Sequence, residues 1–192
     1  MDHLVFSNSW MVWNLWLALV PAALALALFR PTLRRGAIWW LGATAFVAFL
    51  PNAPYVLTDV VHIPADLRAS SGSAPMTLAV LGVYAAFVAA GFVAYAFSVL
   101  RLTDYLRANG VGRAGLIAAE LGVHGLATVG IVLGRVFRFN SWDLIAQPGQ
   151  VIDTLRVPQT ERGLAIVVLL LSALMVGTLV VRAVLALART RT

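Results

Sequence analysis

Met76–Leu100 reads MTLAVLGVYAAFVAAGFVAYAFSVL, a run of 25 residues that contains no charged side chain. A helix needs about 20 apolar residues to cross the hydrocarbon core of a bilayer, so this run predicts a transmembrane helix. Four further runs of this kind lie at Trp10–Phe29, Ala37–Leu57, Ala114–Gly134 and Gly163–Leu187. We therefore expect an all-α, polytopic transmembrane bundle of about five spans, folded as a single domain over residues 1–192.

The composition agrees with this fold class. Hydrophobic residues make up 61% of the chain and charged residues 11%, with a mean hydropathy of +0.89, which is far from the balance of a soluble domain. The net charge is +6, and all of the positive charge comes from arginine because the chain has no lysine. Loop arginines near anionic headgroups account for this charge, so the lipid bilayer is the expected partner and nucleic acid is not. We expect neither a metal nor a cofactor, and the absence of cysteine excludes thiolate sites.

The distribution of arginine predicts the orientation, because cytoplasmic segments of membrane proteins are enriched in basic residues. With the amino terminus outside and the carboxyl terminus in the cytoplasm, nine arginines lie in inner segments and five in outer ones. The inner set comprises Arg30, Arg34, Arg35, Arg101, Arg107, Arg113, Arg182, Arg189 and Arg191. The first apolar run has no basic residue before it, so we expect an anchoring span rather than a cleaved signal peptide.

One long outer loop connects the fourth and fifth spans, from Arg135 to Arg162. Within it, Pro148 suits the first turn of a helix. The apolar side chains of Val151, Ile152 and Leu155 suit a helix that lies along the membrane surface. The loop therefore predicts a short interfacial helix.

The second apolar run is interrupted by Pro51-Asn52-Ala53-Pro54. Proline lacks a backbone donor and disfavours helical geometry in the residue before it, which predicts a break with Leu50 and Ala53 extended. A break at membrane depth requires surrounding protein or a water-filled cavity.

Two interpretations follow for the polar residues after this interruption. In the first, Asn52, Tyr55, Thr58 and Asp59 line an outward-facing pocket that binds a ligand. In the second, the prolines form a simple kink, Asn52 bonds the freed backbone and Tyr55 lies at the headgroup level. His62 follows Asp59 by three residues, and this pair suits a metal, an acid/base role or a plain hydrogen bond.

The fourth span carries a polar stripe. Glu120 and His124 are four residues apart, and Arg135 and Arg138 continue on the same side of the helix. Ionisable residues inside a membrane usually face the bundle interior, where Glu120 and His124 form either a functional pair or a structural hydrogen bond.

A second polar motif follows this span, with Arg135, Arg138, Asn140 and Asp143 close together. Two guanidiniums three residues apart can clamp a phosphate or carboxylate. Alternatively, one of them forms a structural ion pair with Asp59. The second and fourth spans end on the same side of the membrane, so the two motifs can meet.

Both motifs are similar to those of a known family. Leu50–Asp59 with His62, and Gly134–Asp143, resemble the bacterial membrane proteins labelled domain of unknown function 1361. The resemblance covers nearly the whole chain and implies a small multi-pass protein of the bacterial inner membrane. It implies no activity.

Three functions fit these observations. The first is a bundle that binds an anionic ligand or lipid headgroup, as part of a transport complex with a homo-oligomer or partner membrane protein. The second is a membrane enzyme acting on a lipid-linked or phosphate-bearing substrate, with Asp59 and His62 or Glu120 and His124 as acid and base. The third is an assembly subunit whose motifs only stabilise the bundle. The sequence leaves open whether the protein is an enzyme.

Overall fold

A computed structural model of the protein describes residues 9–30, 33, 35–69, 73–136, 146, 149 and 161–190. These residues form helices and contain no strand, which confirms the predicted all-α class. The helices are α1 (Ser9–Leu28), α2 (Ala37–Phe49), α3 (Asn52–Tyr55), a 3-10 helix (Val56–His62), α4 (Ile63–Ala69), α5 (Ala74–Ala108), α6 (Arg113–Val136) and α7 (Glu161–Arg189). The interfacial helix predicted from Pro148 onward lies, apart from Gly149, outside the described residues.

The predicted number of spans is confirmed. Within the described residues, five helical stretches are long and apolar enough to cross a membrane: Ser9–Leu28, Ala37–Ala69, Ala74–Ala108, Arg113–Arg135 and Gly163–Arg189. Large apolar side chains cover the outside of the bundle, including Ile38, Leu78 and Leu169, which are 84%, 69% and 68% exposed. Such a surface suits contact with lipid tails rather than with water.

The second span differs from its prediction at the prolines. Its α-helix ends at Phe49, as expected, but Leu50 (φ −55°, ψ −39°) and Pro51 (φ −60°, ψ −23°) keep right-handed helical geometry. Ala53 lies inside α3, so the expected extended conformation of Leu50 and Ala53 is wrong. The φ that the proline ring imposes is itself helical, and the chain continues through the 3-10 helix to Ala69.

Side chains and shorter-range bonds satisfy the backbone at this point. The Asn52 Nδ2 group donates to the carbonyl of Phe49 at 3.0 Å. The amide of Ala53 donates to the carbonyl of Leu50 at 3.2 Å. The carbonyl of Leu50, whose usual helical donor is missing at Pro54, and the carbonyl of Phe49 are therefore both bonded locally.

The segment Pro51–Val56 lies at the centre of the bundle, where α3 contacts α1, α5 and α6. Ala53 and Val56 are fully buried. A Cβ at Gly91 of α5 would collide with Val56 and come 2.8 Å from the carbonyl oxygen of Ala53. A Cβ at Gly130 of α6 would come 2.6 Å from Cβ of Pro51. Glycine at these two positions therefore lets both helices approach the second span.

We expect Gly91→Ala to destabilise the bundle by about 1–3 kcal/mol, since the added methyl group overpacks a buried contact with backbone. The matched control is Gly122→Ala in α6, where no atom lies within 4 Å of an added Cβ. This control should be neutral or stabilise slightly, because alanine favours a helix over glycine. Thermal unfolding in detergent micelles compares the two, and equal midpoints would contradict the close approach.

Candidate functional site

Asp59 is a buried carboxylate with a partner on each oxygen. Its side chain is 2% exposed. The Nδ2 group of Asn14 in α1 donates to Oδ2 at 3.0 Å, and Nη2 of Arg135 in α6 lies 3.1 Å from Oδ1. A charge removed from water in this way is tolerated only when such partners compensate it. Asp59 therefore joins the first, second and fourth spans.

Arg135 is held by three parts of the second span. Besides its contact with Asp59, Nη2 donates to the backbone carbonyl of Thr58 at 2.6 Å. The guanidinium carbon lies 5.4 Å from the ring centroid of Tyr55, a distance suited to a cation–π contact. These three contacts hold the guanidinium, and the side chain of Arg135 as a whole is 29% exposed. We call Asn14, Tyr55, Thr58, Asp59 and Arg135 the Asp59 cluster.

The structure thus brings together four of the residues proposed from the sequence, namely Tyr55, Thr58, Asp59 and Arg135. Thr58 contributes its carbonyl, because its hydroxyl donates to the carbonyl of Tyr55 at 2.7 Å. Asn52 bonds the carbonyl of Phe49, the last residue of α2, and is not part of the cluster. The other residues proposed for the second motif, Arg138, Asn140 and Asp143, lie outside the described residues.

His62 packs against an aromatic ring of the first span. It is exposed, and its ring centroid lies 5.0 Å from that of Trp10. In the described part of the chain, no hydrogen bond or ion pair joins His62 to Asp59, which is committed to Asn14 and Arg135. Nor do the described residues contain a group of three or more His, Cys, Asp or Glu side chains able to hold a metal.

Glu120 and His124 belong to a second polar cluster. Arg182 of α7 donates from Nη2 to Oε1 of Glu120 at 2.9 Å, and Nε2 of His124 lies 4.0 Å from the same oxygen. On the other side of the imidazole, the hydroxyl of Tyr95 in α5 lies 2.6 Å from Nδ1. These four residues, which we call the Glu120 cluster, join the third, fourth and fifth spans.

The Glu120 cluster borders a cleft of about 200 Å³ between α6 and α7. Most of its lining is apolar, and both helices contribute polar groups. The cleft is lined by Ile117, Glu120, Leu121, His124, Met175, Leu179 and Arg182. Glu120 and Arg135 are fifteen residues apart on α6, about 22 Å along the axis, so the two clusters are separate sites.

Three polar partners are not evident from the sequence. Asn14 and Tyr95 lie within apolar runs, and Arg182 indicates only the orientation of the chain. The signal that could have found Asn14 and Arg182 is their position inside long apolar runs, because polar groups at membrane depth usually face a partner.

Residues 13–177 match the model of a family described as Protein of unknown function (DUF1361). The chain belongs to the DUF1361 family. No curated protein and no solved structure matches it. The match confirms the resemblance inferred from the two motifs. The family is described as one of unknown function, and the described helices are of the membrane type.

In this DUF1361 chain, we expect Asp59→Leu or Arg135→Leu alone to cost about 3 kcal/mol, because each leaves a partner charge uncompensated. The double substitution should recover much of that loss, since apolar residues can replace a buried ion pair. A double-mutant cycle measured by thermal unfolding gives the coupling. The control cycle uses Asp104 and Arg107, which lie 2.8 Å apart but are both exposed, and should show under about 1 kcal/mol. Equal couplings would contradict the buried pair.

Tyr95→Phe removes the hydroxyl next to Nδ1 of His124, whose residue is 2% exposed. Because an imidazole nitrogen is then left buried without its partner, we expect a loss of about 1–3 kcal/mol in unfolding free energy. Tyr55→Phe is the matched control, because Tyr55 meets Arg135 through its ring, which the substitution keeps. Similar losses for both variants in detergent would contradict the role given to the Tyr95 hydroxyl.

Proposed function

We propose that this protein binds an anionic group, carried by a lipid headgroup or another phosphate-bearing ligand, at the Asp59 cluster. The main support for this proposal is that the side chain of Asp59 is more deeply buried than that of Arg135. The carboxylate of Asp59 is 2% exposed and the side chain of Arg135 is 29% exposed. A ligand approaching from the surface therefore meets the guanidinium, while the carboxylate holds it from below.

The chemistry of arginine supports this role. A guanidinium has five N–H donors in a rigid fork that matches carboxylate and phosphate oxygens. Among the described residues, Arg135 makes its contacts with Asp59 and Thr58 through Nη2 alone. The fork is thus pre-oriented and retains donors for a ligand. Arg138, Asn140 and Asp143 follow along the chain, and in this proposal they complete the site.

The excess of arginine in alternate loops supports an outward direction for this end of the bundle. With nine arginines on the other side and five on this one, the Asp59 cluster lies on the outer face of the bacterial inner membrane in our proposal. A ligand presented there is a headgroup of the outer leaflet or a solute of the outer compartment. Transport of such a ligand would require a homo-oligomer or a partner membrane protein, because five spans are few for a transporter.

A second candidate function is favoured by the cleft at the Glu120 cluster. Its lining is largely apolar and includes the carboxylate of Glu120 and the imidazole of His124. That combination suits an enzyme that acts on the polar end of a lipid-linked substrate. Arg182 holds the oxygen of Glu120 that also faces His124, so this pair is engaged internally and the binding proposal is the stronger one.

Lipid binding to variants at Arg135 tests the first proposal. Native mass spectrometry in mild detergent counts bound phosphatidylglycerol, with phosphatidylcholine of the same acyl chains as the uncharged comparison. We expect Arg135→Lys to weaken phosphatidylglycerol binding about tenfold, because lysine keeps the charge near Asp59 but loses the fork.

Arg107→Lys is the control, since Arg107 is an exposed arginine at the opposite end of the bundle. If Arg135→Lys and Arg135→Gln both stay folded and bind phosphatidylglycerol like the unmodified protein, the cluster is structural and the proposal fails. Turnover of a lipid-linked substrate that is lost in Glu120→Gln and kept in Arg135→Lys would instead support the enzyme.

A further inference from the structure

A second arginine site lies at the opposite end of the bundle. α1 begins beside the Asp59 cluster and ends at Leu28, where α2 and the last turns of α5 meet it. Three aromatic rings pack there: the centroid of Tyr105 lies 5.5 Å from that of Phe29 and 5.9 Å from that of Trp39. Arg35 and Arg101 both border this group of rings.

Arg35 has only neutral partners among the described residues. Its Nε donates to the hydroxyl of Tyr105 at 2.9 Å. Its guanidinium carbon lies 5.3 Å from the ring centroid of Tyr105 and 5.8 Å from that of Trp39. The side chain is placed against two aromatic faces and is exposed to the outside of the bundle. These contacts orient the guanidinium and leave its charge uncompensated.

Arg101 is less exposed, and its hydrogen bonding is incomplete. Its Nη2 lies 3.5 Å from the carbonyl oxygen of Phe29, at the outer limit for a hydrogen bond. Its Nε is buried and has no acceptor among the residues that the structure describes. A buried N–H of a charged group without an acceptor is costly and points to an ion or water that occupies the position.

Capping of α1 explains part of this arrangement. Cations are favourable near the carbonyl end of a helix, and Arg101 approaches the last carbonyls of α1. However, the carbonyl of Leu28 already accepts from Nε1 of Trp39 at 3.1 Å, and Phe29 engages only Nη2 of Arg101. Capping therefore leaves Nε of Arg101 unexplained.

No carboxylate offsets the two guanidiniums within the described part of the chain. Asp104 is the nearest acidic residue in sequence, and it contacts Arg107 at 2.8 Å on the exposed side of α5. Two guanidiniums thus contact the same group of aromatic residues, where the apolar run of the third span ends at Leu100. That position corresponds to the headgroup level of a bilayer, where basic pockets between helices bind anionic lipids.

We propose that Arg35 and Arg101 form a phosphate site at this end of the bundle, distinct from the Asp59 cluster. A phosphate oxygen accepts from Nε of Arg101, and Arg35 contacts the same group from the exposed side. Trp39 and Tyr105 hold the guanidinium of Arg35 in place. The phosphate belongs either to the headgroup of an anionic phospholipid or to a free phosphate ion, because the same donors suit both.

Native mass spectrometry of the full chain with phosphatidylglycerol tests this site. The variants are Arg35→Gln, which changes an exposed side chain, and Arg101→Gln, with Arg107→Gln as the control of equal charge on the same helix. We expect each site variant to weaken the binding of one lipid about tenfold, and the control to change it less than about twofold. Thermal unfolding in inorganic phosphate, compared with chloride at equal ionic strength, tests whether a free phosphate ion binds at this site.

The outcomes separate the two sources and the two sites. If inorganic phosphate raises the unfolding temperature and both site variants lose this stabilisation, the ligand is a free ion. If the variants lose lipid binding and phosphate does not stabilise the unmodified protein, the ligand is a headgroup. Repeating the series in Arg135→Lys distinguishes this site from the Asp59 cluster, because independent sites lose separate lipids. If Arg35→Gln, which keeps α1 capped, binds both probes as the unmodified protein does, or if Arg107→Gln loses as much, the proposal is wrong.

Discussion

The close contact between Pro51–Val56 and two glycines positions the rest of the second span, including the residues that contact Arg135. Gly91 and Gly130 leave no room for a side chain where α5 and α6 approach this segment. Val56 is fully buried as a result, and the 3-10 helix begins at that residue. Because a 3-10 helix has three residues per turn, Thr58 lies on the same side of the helix as Tyr55, one turn further along. Arg135 contacts the carbonyl of one and the ring of the other.

Two polar clusters connect the spans where apolar packing alone would discriminate poorly between helices and lipid. The Asp59 cluster joins the first, second and fourth spans, and the Glu120 cluster joins the third, fourth and fifth. α6 is common to both, so the fourth span links all five. Because lipid tails are as apolar as leucine, specific hydrogen bonds and small residues determine which helices are neighbours in a membrane.

Span number and the meeting of Asp59 with Arg135 were predictable from the sequence, because bilayer thickness sets helix length and parity puts both residues at one end. The geometry before Pro51 was not predictable, because Leu50 stays helical in its packed surroundings although proline disfavours helix in the preceding residue. Asn14 and Arg182 were missed for another reason. Their partners lie 45 and 62 residues away in sequence, and one sequence does not tell which helices touch.

The exclusive use of arginine among basic residues agrees with the contacts that these side chains make. Arg135 serves two acceptors and a ring at once, and Arg35 bonds a hydroxyl while lying against aromatic faces. A lysine ammonium has no planar fork and is more strongly hydrated, so it would lose more by partial burial at such positions. Arg101 contacts a backbone carbonyl through Nη2, and its buried Nε has no acceptor in the described part of the chain. Among the described buried side-chain atoms, Nε of Arg101 is the one without a partner, and the proposed phosphate would supply its acceptor.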